Sequence, residues 1–204
     1  MEEFSPEKVI NVEEPAGKSI FRRFLSWCLP KDVEHRFQQK IDNEIFAPVS
    51  ALNDDRLLVL VGALVVENTL DELLGAIMPG YKTLRDKKDF TFSMRIEIAR
   101  ALQLIPTRIL NCADFIRDLR NDFVHDLSVK GFEDLEQSKI QSLHDRLSGF
   151  TPQKFDKIAE AFRMLVSYNA IALYGYAIHV SRLNDFIRST KFGESLKAFV
   201  ESKN

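Results

Sequence analysis

Residues 56–78 read RLLVLVGALVVENTLDELLGAIM, and this stretch decides the fold. In its first half, apolar side chains would cover nearly the whole circumference of a helix, a pattern typical of a helix at the centre of a protein. Residues 53–55 (NDD) precede it as candidates for the helix N-cap, and Pro79-Gly80 predicts its end. The sequence therefore predicts a bundle organised around one long central helix.

Helical patterns account for most of the remaining chain, and no segment shows the alternation of apolar and polar residues that marks a strand. The predicted fold class is all-α: a helical bundle with a long C-terminal helix and an N-terminal helical extension. The further predicted helices cover residues 18–29, 31–46 (ended by Pro48), 92–104, 108 to about 125–127 (capped by Thr107), 133–147, 152–188 (opened by Thr151-Pro152) and 191–202, with a basic loop at 81–91.

The composition is that of a globular protein. A length of 204 residues is enough for one well-buried core. Hydrophobic residues make up 45% of the chain, and only 8 glycines and 7 prolines interrupt it, which argues against disorder. Residues 1–17 are acidic and polar and are predicted to form a flexible segment. Residues 18–204 are predicted to form a single all-helical domain.

No secretory signal is expected, because the first 17 residues contain no apolar stretch. Residues 164–180 (MLVSYNAIALYGYAIHV) carry no Asp, Glu, Lys or Arg, but the Ser, Asn, Gly and His among them favour a buried core helix over a membrane span. The predicted location is the cytoplasm, with no membrane partner.

Neither a metal nor a cofactor is predicted. Cys28 and Cys112 lie far apart and give no metal-ligand spacing, and Cys112 falls on the apolar side of its helix as a small core residue. His35, His144 and His179 sit on separate predicted helices without a partner at ligand spacing. The sequence contains no phosphate-binding glycine loop, no nucleophile elbow and no carboxylate cluster of the kind that holds magnesium.

The charge distribution along the chain is uneven. The net charge of −2 argues against wholesale binding of a polyanion. Between Lys82 and Arg120, however, nine basic and five acidic residues give a local charge of +4, which leaves −6 for the remainder. This region is compatible with a phosphate-containing ligand; ordinary solvated helix faces are the alternative interpretation.

Residues 117–126 read RDLRNDFVHD and contain the side chains best suited to chemistry. Arg120 carries a guanidinium, a group that can neutralise phosphate charge in a fork geometry. His125 carries an imidazole, a group that can transfer protons near neutral pH. Asn121 lies four residues before His125. Properly placed, a guanidinium and an imidazole are sufficient to cleave RNA without a metal ion.

Helical periodicity places Arg120 at the flank of the apolar arc of its helix, and Glu67 in the middle of the apolar arc of the helix at residues 56–78. A guanidinium or a carboxylate left unpaired beside the core would be costly. We therefore expect Glu67 and Arg120 to face each other. Such a pair could orient Arg120 toward a phosphate, or it could be structural and without chemistry.

Arg120 and His125 are five residues apart, which is about 140° around an ideal helix. Both side chains cannot reach one phosphorus atom while that helix stays regular. Either the helix unwinds near residues 123–126, or the site combines Arg and His side chains from two subunits across a two-fold axis. The second alternative predicts a homodimer whose RNDFVH segments face each other.

An Arg followed by a polar residue, three more residues and a His, at the end of a helix in an all-α bundle, resembles the motif of the HEPN superfamily. The segments RLLVLVGALVVENTLDELL, DFTFSMRIEIARALQLIP and IRDLRNDFVHD follow one another in an order and spacing similar to the mannitol operon repressor family, itself HEPN-like. The resemblance covers about residues 45–135 and implies a HEPN-like core at about residues 45–188.

The resemblance to HEPN ribonucleases implies a metal-independent endoribonuclease, in which the ribose 2′-OH attacks the phosphate and a cyclic phosphate remains. His125 would transfer protons, Arg120 would stabilise the transition state, and Asn121 would bind the phosphate or hold His125. RNA would be the substrate of a homodimer. HEPN proteins are commonly toxins or anti-phage effectors, so an antitoxin is a further expected partner. Glu67, Arg117 and Asp118 are predicted to support this site.

The resemblance to mannitol operon repressors implies a different function, that of a non-catalytic transcriptional or metabolic regulator. Such a protein would act through protein partners, because the sequence contains no clear helix-turn-helix signature for binding DNA. The same polar residues would then tie helices together at a dimer interface. A nucleotide-binding module of the same fold is a third interpretation.

Overall fold

The computed structural model describes residues 37–189, and the side chains of residues 37–185. The chain divides into two compact units, Met1–Asp42 and Asn43–Asn204. Of the first unit, only the helical residues 37–42 are described. The predicted flexible segment 1–17, the predicted helices 18–29 and 191–202, and Cys28 and His35 lie outside the described residues.

Residues 41–189 form an all-α arrangement without a strand, which confirms the predicted fold class. A π-helical stretch, Ile41–Phe46, precedes the first α-helix, and a short 3₁₀ turn, Phe132–Asp134, precedes the sixth. Between residues 41 and 189, the α-helices are α1 (Ala47–Ser50), α2 (Asp55–Ile77), α3 (Tyr81–Arg85), α4 (Phe92–Ala101), α5 (Thr107–His125), α6 (Gln137–Ser148) and α7 (Ile158–Ser189).

The central helix begins and ends where its sequence predicts. Asp54 is the N-cap of α2, and its carboxylate accepts a hydrogen bond from the Leu57 amide at 2.7 Å. This bond satisfies one of the amides that a helix leaves without a partner in its first turn. At the other end, α2 stops at Ile77, two residues before Pro79. The predicted cap and the predicted end are both confirmed.

Two predictions about the first half of the chain were wrong. Pro48 does not end a helix but lies in the first turn of α1, where a missing N–H leaves no hydrogen bond unmade. The basic loop predicted at 81–91 contains the short helix α3. Tyr81 starts this helix and is buried, with its ring centroid 5.6 Å from that of Phe90. An aromatic anchor therefore orders a segment whose composition suggested a loop.

Two predicted helix starts were also wrong. α5 begins at Thr107 itself, with Pro106 at the N-cap and no side-chain cap. α7 begins at Ile158 rather than at Pro152. Thr151 is buried, its amide donates to the Leu147 carbonyl at 3.1 Å, and its hydroxyl accepts from the Gln153 amide at 3.2 Å. These bonds hold the chain in a turn and delay the helix.

The core of the second unit forms around α2, which packs against α7, α5 and α4. The predicted central position of this helix is thereby confirmed. Cys112 is fully buried, as predicted, and burial raises the pKa of its thiol to about 11. The largest fully buried side chains of the three longest helices are Leu58, Leu70, Leu73, Leu74, Leu110, Ile116, Leu119, Phe123 and Phe162.

Residues 164–180 lie within α7 and supply core side chains, as predicted. Asn169 is fully buried, and its Nδ2 donates to the Ile109 carbonyl at 2.7 Å, which joins α7 to α5. Among residues 37–189 there is no helix of the length and apolarity that crossing a bilayer requires.

The start of α2 lies beside the end of α5, so the two helices run antiparallel. Arg56 Nη2 donates to the Val129 carbonyl at 3.2 Å and approaches the Asp126 carbonyl at 3.5 Å. The Asp55 carboxylate accepts from the Phe132 amide at 3.1 Å. The first turn of α2 thus fixes the chain immediately after His125.

Replacement of Gly62 by alanine is expected to lower the free energy of unfolding by about 1–3 kcal/mol. A Cβ at position 62 would lie 3.0 Å from both Phe162 Cε1 and Val166 Cγ2, so these fully buried side chains would have to shift. Gly75 is the matched control on the same helix, because its nearest neighbour, Tyr81 Cδ1, would be 3.7 Å away. Gly75→Ala should raise stability by about 0.5–1 kcal/mol. Urea unfolding measures both; equal effects would contradict the packing.

Candidate functional site

The candidate site lies at the C-terminal end of α5, which carries Arg120, Asn121 and His125. The helix remains regular through His125 and ends at Asp126, whose backbone is extended and whose amide donates to the Asp122 carbonyl at 2.9 Å. The alternative in which the helix unwinds near residues 123–126 is therefore wrong. Arg120 and His125 remain about 140° apart around one helix.

Arg120 and His125 are exposed, and Asn121 is half-buried. Arg120 Nη1 donates to the Asn121 side-chain oxygen at 3.1 Å. Within the described side chains, Arg120 forms no ion pair. The expectation that Arg120 would be held on the core side was wrong: the Cα lies at the flank of the apolar arc, but the long side chain reaches past that edge into solvent.

The buried guanidinium of this region is Arg95 on α4, which is 9% exposed. Its Nη1 lies 2.8 Å from Glu67 Oε1, and its Nε lies 2.6 Å from Asp71 Oδ1. Nη1 also donates to the Phe90 carbonyl at 2.7 Å, and the guanidinium stands 4.9 Å from the centroid of the Phe90 ring. The predicted pairing of Glu67 with Arg120 was therefore wrong, because the ion-pair partner of Glu67 is Arg95.

Tyr81 completes this arrangement, because its hydroxyl donates to Asp71 Oδ1. We call Arg95, Glu67, Asp71 and Tyr81 the Arg95 cluster. The pKa of Glu67 is raised overall, chiefly by burial and to a lesser extent by the negative charge of Asp71. The positive charges of Arg95 and, more weakly, Arg120 oppose this increase. The cluster holds one cation against two carboxylates, and Arg120 is a second cation close enough to act on Glu67 through its charge.

A surface network joins α4 to α5 and includes the two remaining predicted site residues. Arg117 lies 2.9 Å from Asp114 and 2.8 Å from Asp118, and it donates to the Ser93 hydroxyl at 2.9 Å. Arg100 binds the other oxygen of Asp114. The charge of Arg117 is thus neutralised within the chain, so Arg117 and Asp118 stabilise the position of α5.

The end of α5 is also held on the side that faces α6. Lys139 Nζ lies 2.5 Å from the Asp122 carboxylate. Immediately after the helix, the Asp126 carboxylate accepts hydrogen bonds from the amide and the hydroxyl of Ser128, which lower the pKa of Asp126. Together with the Arg56 contacts, these bonds hold the backbone on both sides of His125 in place.

Four exposed apolar side chains lie on the first half of α2 and around the C-terminal end of α5. Leu57 and Leu64 are seven residues apart on α2 and therefore share one face of it. Val124 lies on the last turn of α5, and Leu127, which follows the helix, is 80% exposed. Because α2 starts beside the end of α5, Leu57 belongs to the same end as Val124 and Leu127. We call these four side chains the α2–α5 apolar patch.

The described part of the chain contains no group of side chains arranged to bind a metal ion. Among residues 37–185, no three His, Cys, Asp or Glu side chains converge on one point. A cavity of about 580 Å³ is lined by residues around Pro106 and Tyr176, and one of about 500 Å³ by residues around Asp71 and Lys82. Neither of these two cavities is lined by Arg120, Asn121 or His125.

Comparison of the chain with protein-family models, with curated proteins and with solved structures found no match.

Proposed function

We propose that this protein is a metal-independent endoribonuclease of the HEPN type, with Arg120, Asn121 and His125 as its catalytic residues. The observation that carries the proposal is the contrast between Arg120 and three ion-paired arginines of α4 and α5. Arg95, Arg100 and Arg117 are neutralised by carboxylates, whereas Arg120 is exposed, without an ion pair, and at the same end of α5 as His125. An accessible guanidinium and an accessible imidazole are the groups that cleavage of a phosphodiester requires.

The active site is proposed to form between two copies of the chain. In a regular helix, Arg120 and His125 of one copy point in directions too different to meet at one phosphorus atom. A two-fold axis near the end of α5 would bring a second Arg120 and a second His125 to the same phosphate. The α2–α5 apolar patch supports this arrangement, because association would remove its exposed side chains from water.

In the proposed reaction, His125 of one copy accepts the proton of a ribose 2′-OH, and that oxygen forms a bond to the adjacent phosphorus. The bond between phosphorus and the 5′-oxygen of the next nucleotide breaks, and His125 of the second copy donates a proton to the leaving oxygen. Arg120 neutralises the charge that accumulates on the phosphoryl oxygens. The products are a 2′,3′-cyclic phosphate and a 5′-hydroxyl.

The remaining polar residues have supporting roles in this proposal. Asn121 accepts a hydrogen bond from Arg120, which limits the orientations of the guanidinium. Glu67 forms an ion pair with Arg95, and the positive charge of Arg120 lowers the pKa of Glu67. Arg117 and Asp118 hold α5 against α4. In a cell, such an enzyme would be a toxin or an anti-phage effector in the cytoplasm, controlled by an antitoxin protein.

A second candidate function is favoured by the α2–α5 apolar patch, since exposed apolar side chains also mark protein interaction sites. A non-catalytic regulator similar to mannitol operon repressors would use this surface for a protein partner. Arg120 and His125 would then contribute hydrogen bonds at the interface. The two functions differ in one measurable property: only the ribonuclease would cleave RNA in a reaction that requires His125.

The test is RNA cleavage by the purified full chain in the presence of a metal chelator. The wild type is expected to convert RNA to products that end in a cyclic phosphate, and His125→Ala is expected to be inactive. His179→Ala is the matched control, because His179 is an exposed imidazole on α7. RNA left intact by the wild type, or cleaved equally by all three proteins, would favour the regulator.

A further inference from the structure

Two arginines at the opposite end of α5 are arranged without neutralising carboxylates. Arg108 lies in the first turn of α5, and Arg146 lies in the last turn of α6. Neither forms an ion pair within the described side chains. Along α4 and α5, by contrast, Arg95, Arg100 and Arg117 each bind two carboxylates.

Arg108 lies against the helix end that carries Arg146. A Cβ placed at Gly149 would lie 3.2 Å from Arg108 Nη1 and 3.4 Å from the Arg146 carbonyl oxygen, so the end of α6 touches the Arg108 side chain. Both arginines also act through their charges on the buried Cys112 thiol, whose pKa each of them lowers against the effect of burial. Both cations therefore lie where α5 meets the end of α6, and a phosphate bound there would neutralise them.

Aromatic rings hold both guanidiniums in defined positions. Arg108 stands 5.0 Å from the centroid of the Phe150 ring, and Phe150 in turn stacks on Tyr168 with ring centroids 5.8 Å apart and planes 1° apart. Arg146 stands 4.5 Å from the centroid of Phe115. A guanidinium stacked on a ring can still present N–H groups to a planar acceptor such as a phosphate. Within the described side chains Arg108 donates no hydrogen bond, whereas Arg146 uses Nη1 and Nε for Ser142 and the Asn111 carbonyl.

Part of this arrangement has a structural explanation. Arg146 Nη1 donates to the Ser142 carbonyl at 3.2 Å, and a cation is favourable at the C-terminal end of a helix. Arg108 stacks on Phe150, but it has neither a hydrogen-bond acceptor within the described side chains nor a favourable position on its helix. It lies in the first turn of α5, where the helix dipole disfavours a positive charge and where no acidic residue is present. Arg108 therefore carries the inference.

We propose that Arg108 and Arg146 form a second phosphate-binding site for single-stranded RNA, distinct from Arg120 and His125. The inference rests on the proposed function for its choice of RNA as the ligand. Seventeen residues of one straight helix separate Arg108 from His125, a distance of about 26 Å along its axis. A strand bound at both places would lie along α5, so RNA too short to span that distance would lose the second contact.

The experiment measures binding rather than cleavage, in the full chain with the His125→Ala substitution, so that the RNA stays intact. The probe is a fluorescent single-stranded RNA of about 12 nucleotides, followed by anisotropy across a range of salt concentrations. Arg108→Gln and Arg146→Lys are compared with Arg182→Gln, the matched control, in which an exposed arginine of α7 is neutralised. Circular dichroism establishes that each variant is folded, and Arg108→Gln alone tests the inference if Arg146→Lys is not.

Arg108→Gln is expected to weaken binding about 10-fold and to reduce the slope of log Kd against log salt by about 0.7, the value for one lost phosphate contact on a single strand. Arg182→Gln should change neither quantity. A dinucleotide should bind the Arg108→Gln variant and its parent equally. Equal losses in Arg108→Gln and Arg182→Gln would overturn the inference, and so would competition by inorganic phosphate as effective as competition by RNA, which would indicate a free-anion site.

The ribonuclease proposal and the second phosphate site can be contradicted independently of each other. If the wild type leaves RNA intact but binding still depends on Arg108, the second phosphate site stands and the ribonuclease proposal is contradicted. If the wild type cleaves RNA and Arg108→Gln binds as tightly as its parent, the ribonuclease proposal stands and the second phosphate site is contradicted.

Discussion

Replacement of Arg95 by methionine is expected to lower the free energy of unfolding by about 3–5 kcal/mol, the largest loss of stability for any single substitution proposed for this chain. The substitution removes the cation that binds Glu67 at 2.8 Å and Asp71 at 2.6 Å. Two carboxylates and the Tyr81 hydroxyl would then be left partly buried without a positive charge. The cost arises from those unpaired groups rather than from the loss of an attractive pair.

The stability of Arg95→Met should depend on pH in a characteristic direction. Burial already raises the pKa of Glu67, and Arg95 is the largest influence that opposes this increase, so its removal raises the pKa further. A carboxyl whose pKa is higher in the folded than in the unfolded state takes up a proton on folding, and its stability contribution improves as pH falls through the folded pKa. Part of the lost stability should therefore return as the pH falls from neutral through the raised pKa of Glu67.

Arg85→Met is the matched control for Arg95→Met. Arg85 forms an exposed ion pair with Asp86 at 3.5 Å, and its removal should cost less than about 0.5 kcal/mol. Chemical unfolding at several pH values measures both variants. Equal stability of the two proteins, or a loss in Arg95→Met that grows as pH falls, would contradict the described Arg95 cluster.

Substitution of His125 by alanine is expected to reduce RNA cleavage by about 10²–10⁴-fold, because the reaction loses its proton-transfer group. Arg120→Ala is expected to cost about 10²–10³-fold, since the charge that builds up on the phosphoryl oxygens would no longer be neutralised. Arg120→Lys keeps the charge but loses the fork geometry, so its activity should fall between those of the wild type and Arg120→Ala.

Unfolding measurements separate a catalytic role from a structural one. Arg120 and His125 are exposed, so their substitution should change the free energy of unfolding by less than about 0.5 kcal/mol. A large loss of cleavage with unchanged stability is the expected combination. Cleavage by His125→Ala at the wild-type rate would contradict the catalytic assignment, and unfolding of that variant would favour a structural role for the same residue.

Several features that depend on residues close in sequence were predicted well, although the roles of Pro48 and Thr107 and the start of α7 were not. The all-α class, the central position of α2, its Asp54 cap and its end before Pro79 follow from periodicity and from local hydrogen bonding. The buried state of Cys112 follows from its helical position. These features require no knowledge of which helices become neighbours, and for that reason the sequence was sufficient.

Features that depend on tertiary neighbours were predicted poorly. The sequence suggested Arg120 as the partner of Glu67, but α4 supplies Arg95 instead. A signal was present: Arg95 lies inside the apolar arc of α4, between Phe92, Ile96 and Ala99. The helical position of Arg120 was correct, yet the reach of its side chain decided its exposure. The late start of α7 depends on a buried threonine whose burial the sequence does not reveal.

A mixed dimer provides the sharpest test of the proposed active site, in which two copies of the chain share the chemistry. Wild-type and His125→Ala chains with different affinity tags are expressed together, and the mixed species is isolated by two successive purifications. Because the proposed reaction needs one imidazole from each copy, the mixed dimer is expected to cleave RNA no faster than the His125→Ala homodimer. A mixed dimer with about half of the wild-type activity, or a chain from which no mixed species can be isolated, would contradict the shared site.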